Sequence, residues 1–254
     1  MVRILETKQG DFNKAFEKLL MKRDKDDKKI DSIVAGIINK VRKKSDSALV
    51  ELTNKFDKFP ANSINDLVVN KRELEDSVKL IKNPIKKSLK NAISRITSYH
   101  KKQKPSNLIY KDKHGIKLGG IWNPIESVGL YVPGGTAAYP SSLIMNAVPA
   151  VVAGVERIVV TVPATEGEIN PLVLACCKML GITEIYKIGG AQAIAALAIG
   201  TKTIKSVDKI FGPGNAFVAS AKKQFFGTVG IDMIAGPSEI SVSYTHLTLP
   251  TNGE

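Results

Sequence analysis

The chain has 254 residues, with 37 Lys and Arg against 24 Asp and Glu, for a formal charge of +13. At 43% hydrophobic and 24% charged, its composition is that of an ordinary globular protein, which excludes a disordered or collagen-like chain. No apolar run reaches the roughly 18 residues that a membrane span requires, since Asn146 and Pro149 interrupt the best candidate, residues 143–155.

The start, residues 1–12, carries charges and no apolar core, so it does not read as a secretory signal. The adjacent Cys176 and Cys177 give neither a disulfide framework nor metal-ligand spacing. These features predict a soluble, cytoplasmic protein with no membrane partner.

Charge and turn residues divide the chain. Residues 1–120 hold 29 basic and 15 acidic side chains, whereas residues 121–254 hold 8 and 9. Only 5 of 20 Gly and 3 of 12 Pro precede residue 121. A break this sharp predicts a change of architecture near Gly119–Gly120, separating a helical region with part of a first α/β domain, 1–120, from a Rossmann-like α/β unit, 121–240. Residues 241–254 are expected to be a tail outside that unit.

In the first region, Ile30, Ile33, Val34, Ile37, Ile38 and Val41 fall on one face of a helical period, with lysines opposite. Ser45 or Asp46 is placed to cap a following helix that buries Ala48, Leu49, Leu52 and Phe56. Asn83-Pro84 reads as a cap and first helical residue, and Ile85, Leu89, Ala92, Ile93 and Ile96 continue one stripe. These are packing positions. Residues 81–111 carry nine Lys or Arg and no acid. A nucleic-acid surface is one reading, but only Tyr99 and Tyr110 offer rings for stacking and no nucleic-acid motif is present. A solvated lysine-rich face is preferred, with no nucleic-acid partner.

The second region alternates. β-branched runs at 127–132, 157–162, 184–188 and 208–211 bracket apolar helical segments at 141–153, 171–180 and 191–199. Asn170-Pro171 opens one helix, and Gly181 and Gly200 follow helix ends. Strand, helix, strand at this spacing predicts a Rossmann-like parallel sheet with helices on both faces.

Each strand is followed by a glycine- or proline-rich turn: Tyr131-Val-Pro-Gly-Gly135, Val162-Pro-Ala-Thr-Glu-Gly167, Gly189-Gly-Ala-Gln192, Gly212-Pro-Gly-Asn215 and Gly236-Pro-Ser-Glu239. In an open α/β sheet such turns line up along the carboxyl edge, where ligands bind. Helix N-termini beside them favour phosphate. The ordinary dinucleotide fingerprint is absent, because Gly212-Pro-Gly-Asn-Ala-Phe217 lacks the third glycine and comes late in the sheet. The residues themselves therefore predict an α/β protein that binds a phosphate-bearing small molecule.

Val128-Gly-Leu-Tyr-Val-Pro-Gly-Gly135, Tyr139-Pro-Ser-Ser142, Gly189-Gly-Ala-Gln-Ala-Ile194, Phe211-Gly-Pro-Gly-Asn215 and Ile231-Asp-Met-Ile-Ala-Gly-Pro-Ser-Glu239, in this order, resemble histidinol dehydrogenase. Asp46-Ser-Ala-Leu and Lys55-Phe-Asp57 add weaker signals, and the resemblance runs to about Ile240. Ser45 stands where the family usually has Gly, and Phe217 where it usually has Tyr.

The resemblance implies an aldehyde-dehydrogenase-like architecture and a homodimer. The implied reaction is an NAD-dependent, four-electron oxidation of L-histidinol through histidinal to L-histidine, the last step of histidine biosynthesis. It implies that Tyr131, Gln192 and Asn215 contact NAD and that Ser238 contacts substrate. It places the family's zinc ligands and Glu-His acid/base pair well beyond the Gly-Pro-Ser-Glu turn. No catalytic or metal residue is therefore assigned within this chain, which is expected to be a truncated, inactive form. Two other readings are a basic nucleic-acid-binding protein and an NAD-dependent dehydrogenase acting on another amino alcohol or aldehyde. His100, His114 and His246 lack ligand spacing, the two cysteines read as buried structural thiols, and Glu239 reads as a turn residue.

Overall fold

The computed structural model describes residues 4–134 and 139–234, those at 19–27 by their backbone alone. Four helices come first: α1 (Phe12–Lys44), α2 (Asp46–Phe56), α3 (Lys71–Leu80) and α4 (Asn83–Gln103). An antiparallel hairpin follows, β1 (Leu108–Lys111) with β2 (Lys117–Gly120). Strands and helices then alternate through β3 (Ser127–Tyr131), α5 (Pro140–Ala153), β4 (Arg157–Thr161), α6 (Pro171–Met179) and β5 (Glu184–Tyr186). They continue through α7 (Gly190–Ile199), β6 (Lys209–Phe211), α8 (Ala216–Phe225) and β7 (Gly230–Ile231).

The five later strands form one parallel sheet in the order β5-β4-β3-β6-β7. The chain builds outward from β3 in one direction, then returns past it to build in the other. This is the doubly wound topology, and it puts a switch point between β3 and β6.

Burial explains why β3 is central. All five of its residues are buried, and alternate residues serve opposite faces. Val128 and Leu130 join a core with β4, α5 and α6, while Tyr131 joins one with α1, α2, α7 and α8. Gly129 leaves room for Leu197, whose methyl carbons would lie about 3 Å from a Cβ there. Helix α7 is buried throughout Ala191–Ala198. Its alanines let it lie between the sheet and the outer helices α1, α2 and α8.

The first region thus supplies outer helices to both faces of the sheet. Helices α1 and α2 cover one face, while α3 packs on α6 and α4 on α5 at the other. Within the predicted stripes Val34, Ile37, Ile38, Val41, Ala48, Leu49 and Leu52 are buried.

Three stripe residues differ from expectation, since Ile33, Phe56 and Ile85 are exposed. Ile33 lies at the margin of the arc that α1 turns inward, and Phe56 ends α2, with the Lys55 ammonium 5.4 Å from its ring. Ile85 belongs to the first turn of α4, a helix that buries no residue fully and rests only Leu89, Ile93 and Ile96 against its neighbours.

The expected caps also shift. Neither Ser45 nor Asp46 caps α2 with its side chain. Ser45 Oγ instead accepts from Lys202 N–H at 2.9 Å, and Asp46 Oδ2 from the Thr203 hydroxyl at 2.7 Å, tying the α1–α2 corner to the loop after α7. At α4 the cap is Lys82, so that Asn83 and Pro84 are the first two helical residues.

Candidate functional site

At the switch point, the turns leaving β3 and β6 diverge to opposite sides of the sheet and leave a crevice between them. Tyr131, Pro133 and Gly134 form one wall, and Pro213, Gly214 and Asn215 the other, with Tyr139 and Ser142 from the start of α5 closing the side. The cavity is about 330 Å³, at the small end of ligand pockets. The first turns of α5 and α8 both open beside it, bringing the positive ends of two helix dipoles to one place.

Asn215 is the N-cap of α8. Its Oδ1 accepts from the Phe217 and Val218 amides, both at 3.1 Å. The cap fixes the side chain's orientation and leaves its NH₂ group as the donor to offer a ligand. Tyr131 is 4% exposed. Its hydroxyl accepts from the Gly190 amide at 3.2 Å, linking the first turn to the third. Burial, the largest influence, raises its phenol above the ordinary value, so Tyr131 acts as a neutral group.

Gly212 is fixed by its surroundings. Its φ is +121°, and a Cβ there would stand 2.0 Å from the Tyr131 carbonyl oxygen. The two walls therefore meet through backbone, and only glycine allows this approach. On its other side, Gly212 donates its N–H to Asp232 Oδ2 at 2.9 Å, and its carbonyl accepts from Lys222 Nζ at 3.0 Å.

Tyr131 and Asn215 therefore share the cleft. Gln192 does not line it: at 1% exposed, it lies in the first turn of α7, beneath the Gly189–Gly190 turn. Its Nε2 is buried without a hydrogen-bond partner. Ser238 and Glu239 fall outside the described residues, as does His246.

Asp57 was visible in the sequence only as part of a motif. It is half-buried after α2, and one carboxylate oxygen has no partner. Burial pushes its carboxyl up to about 6, against the opposing pull of the Gly189 amide. Tyr139 and Ser142 were likewise legible as a motif without a role, whereas nothing in the sequence pointed to Lys222 and Asp232 as a pair.

A histidinol dehydrogenase family model matches residues 20–250, which is most of the chain and runs on past Ile240. The chain belongs to the histidinol dehydrogenase family. It is 51% identical over 238 residues to the histidinol dehydrogenase of Rhodospirillum rubrum, covering 94% of this chain and 55% of that protein. It is 50% identical over 242 residues to that of Ruegeria pomeroyi, covering 95% and 56%. Among solved structures, the crystal structure of histidinol dehydrogenase from Elizabethkingia anophelis superposes with a TM-score of 0.78 at 37% identity, covering 82% of this chain and 48% of that one. The chain spans about half the length of the curated relatives it matches.

Among the described residues, no three His, Cys, Asp or Glu side chains come together as a metal would require. The described residues do not fit the zinc that the family implies, and no step is assigned to it. Cys176 and Cys177 are buried, with burial pushing the Cys176 thiol up to about 12 and Cys177 also upward. Neither is a nucleophile near neutral pH. Among the described residues, no helix is long and apolar enough to cross a membrane.

Proposed function

We propose that this chain is the cofactor-binding part of an NAD-dependent histidinol dehydrogenase and that the β3–β6 cleft receives part of the dinucleotide. The observation that carries this reading is the meeting of Tyr131 and Asn215 across the switch point, at the openings of two helices. NAD⁺, when bound, supplies the hydride acceptor for oxidation of L-histidinol through histidinal to L-histidine. The chain's part is to bind and orient. The α5 and α8 N-termini turn the positive ends of their dipoles to the cleft, which suits phosphate, the Asn215 amide supplies a directed donor, and the neutral Tyr131 phenol holds the third turn in place.

Gln192, buried beneath the Gly189–Gly190 turn and outside the cleft, is kept in the proposed cofactor site on the family resemblance and its unpartnered Nε2, and Ser238 is the proposed substrate contact. The complete assembly is proposed to be a cytoplasmic, zinc-dependent homodimer. Chemistry on an alcohol needs a base, and a positioned one contributes about 10²–10⁴-fold. The described residues place no such group at the cleft.

Titration calorimetry with NAD⁺ tests the binding role. The 254-residue chain is expected to bind it, and Asn215→Ala to weaken binding about 10-fold, as loss of one directed hydrogen bond would. Unchanged affinity in Asn215→Ala would remove the cleft from the cofactor site. A second measurement follows NADH absorbance with zinc, NAD⁺ and L-histidinol, comparing the chain with a version extended by a family-like C-terminal half. Turnover is expected only from the extended chain. Equal turnover by both would place the chemistry in residues assigned here to structure.

A further inference from the structure

We propose that Lys222 and Asp232 form a positioning pair that holds the Gly212–Asn215 turn in its ligand-ready place, although neither side chain lines the cleft. The inference rests on the cofactor reading given above. Lys222, on α8, is 4% exposed, and a lysine is seldom buried this far without a partner. Its ammonium contacts Asp232 Oδ1 directly and donates to the Gly212 carbonyl. The other carboxylate oxygen of Asp232 accepts from the Gly212 amide. Asp232, just after β7, is itself anchored by its N–H to the Ile210 carbonyl at 3.1 Å. Both backbone polar groups of one turn residue are thus held by the two members of an ion pair.

The geometry closes a ring. The turn begins at Gly212, passes through Pro213 and Gly214, and ends at Asn215, which starts α8; that helix then returns Lys222 to the carbonyl where the turn began. On the remaining side, the Tyr131 backbone leaves no room for a side chain at Gly212. An ion pair adds little to core stability over a well-packed apolar pair, so stability alone does not call for one here. Two buried backbone groups in a turn with no ladder partner do require a donor and an acceptor, and this pair supplies one of each.

The test compares Lys222→Met, Asp232→Asn and the double variant with Arg157→Met in the 254-residue chain. Arg157 pairs with Glu184 at the opposite, amino edge of the sheet. Three quantities are measured: NAD⁺ affinity by calorimetry, thermal midpoint, and hydrogen exchange of the Gly212 and Asn215 amides. Each clamp variant is expected to weaken NAD⁺ binding about 10-fold or more, since small displacements of positioning groups cost of this order. Gly212 exchange should accelerate at least about 10-fold with its acceptor weakened.

Arg157→Met should lower the midpoint while leaving affinity unchanged. Should Lys222→Met fail to fold, Asp232→Asn, which keeps a carbonyl acceptor for Gly212, is read in its place. Wild-type affinity and wild-type Gly212 protection in the folded clamp variants would overturn the proposal, as would equal weakening by Arg157→Met. If the wild-type chain binds no NAD⁺, the cofactor reading fails and amide exchange alone decides the clamp. Acceleration confined to the turn would then sustain it, and unaltered protection would overturn it.

Discussion

At the scale of single residues, Asp57 and Gly212 carry the sharpest consequences. The Asp57 carboxyl is raised from 3.8 to about 6 chiefly by burial, so the folded chain holds its proton more tightly than the unfolded chain does. Folding then takes up a proton between about pH 4 and pH 6, and this residue's contribution to stability declines as pH rises through that window. Above it, a charged carboxylate sits half-buried with one oxygen unpartnered. Asp57→Asn is therefore expected to stabilise the chain at pH 7, by about 1 kcal/mol once the shift is discounted for partial exposure. The gain should vanish below about pH 4, as denaturant melts at several pH values would show. Gly212→Ala should act the other way. With φ at +121° and backbone 2.0 Å from the new Cβ, it should cost at least about 2 kcal/mol and abolish NAD⁺ binding. A thermal shift and a cofactor titration on the same sample would check both.

At the scale of elements, α7 shows how sequence and structure correspond. Its run of alanines with Ile194 and Leu197 reads as an apolar helical segment between two strands. The structure buries it throughout Ala191–Ala198. Leu197→Ala is expected to cost about 2–5 kcal/mol, as removal of a fully buried leucine typically does, measurable by urea denaturation.

Strands β3 and β4 were equally legible, because parallel strands buried on both faces leave continuous apolar runs, and the shorter β5 and β6 showed through their spacing from the helices. The β1–β2 hairpin was not. None of its residues is buried, so Leu108–Lys111 has no alternating buried face to betray it, and its lysines merged with the basic run of α4. The Lys222–Asp232 pair escaped for another reason: a lysine in a helix ordinarily reads as solvent-facing, and its partner becomes a neighbour only through sheet topology. Tyr131 and Asn215 were recoverable because they sit on turns that the strand pattern itself locates. The depth of Gln192 depends on how α7 settles against the sheet, which periodicity does not report.

For the whole molecule, the uneven surface matters most. Leu108, Ile109, Ile116, Ile121 and Trp122 are all more than half exposed, and they cluster along the hairpin and the segment after it. An apolar concentration of this kind promotes association. Replacing Ile109, Ile121 and Trp122 with Ser, Thr and Gln is expected to raise the soluble yield while leaving the thermal midpoint within about 2 °C, since none of them contributes to a core. A fall of many degrees would show that the hairpin helps hold the fold together.

The docking of α1 on α8 has a consequence for how the protein is made. Asp31 accepts from the Ser220 hydroxyl across 189 positions of sequence, so the surface that receives α1 does not exist until nearly the whole described chain has been synthesised. At ~5–20 residues per second, the first helix leaves the ribosome roughly 10–40 s before its partner does. For most of that interval Val34, Ile37, Ile38 and Val41 lack the α7 and α8 surface that covers them in the folded chain, and the lysines on the opposite face must keep the emerging segment in solution. The basic surplus at the beginning of the chain would then serve the nascent protein before it serves the folded one.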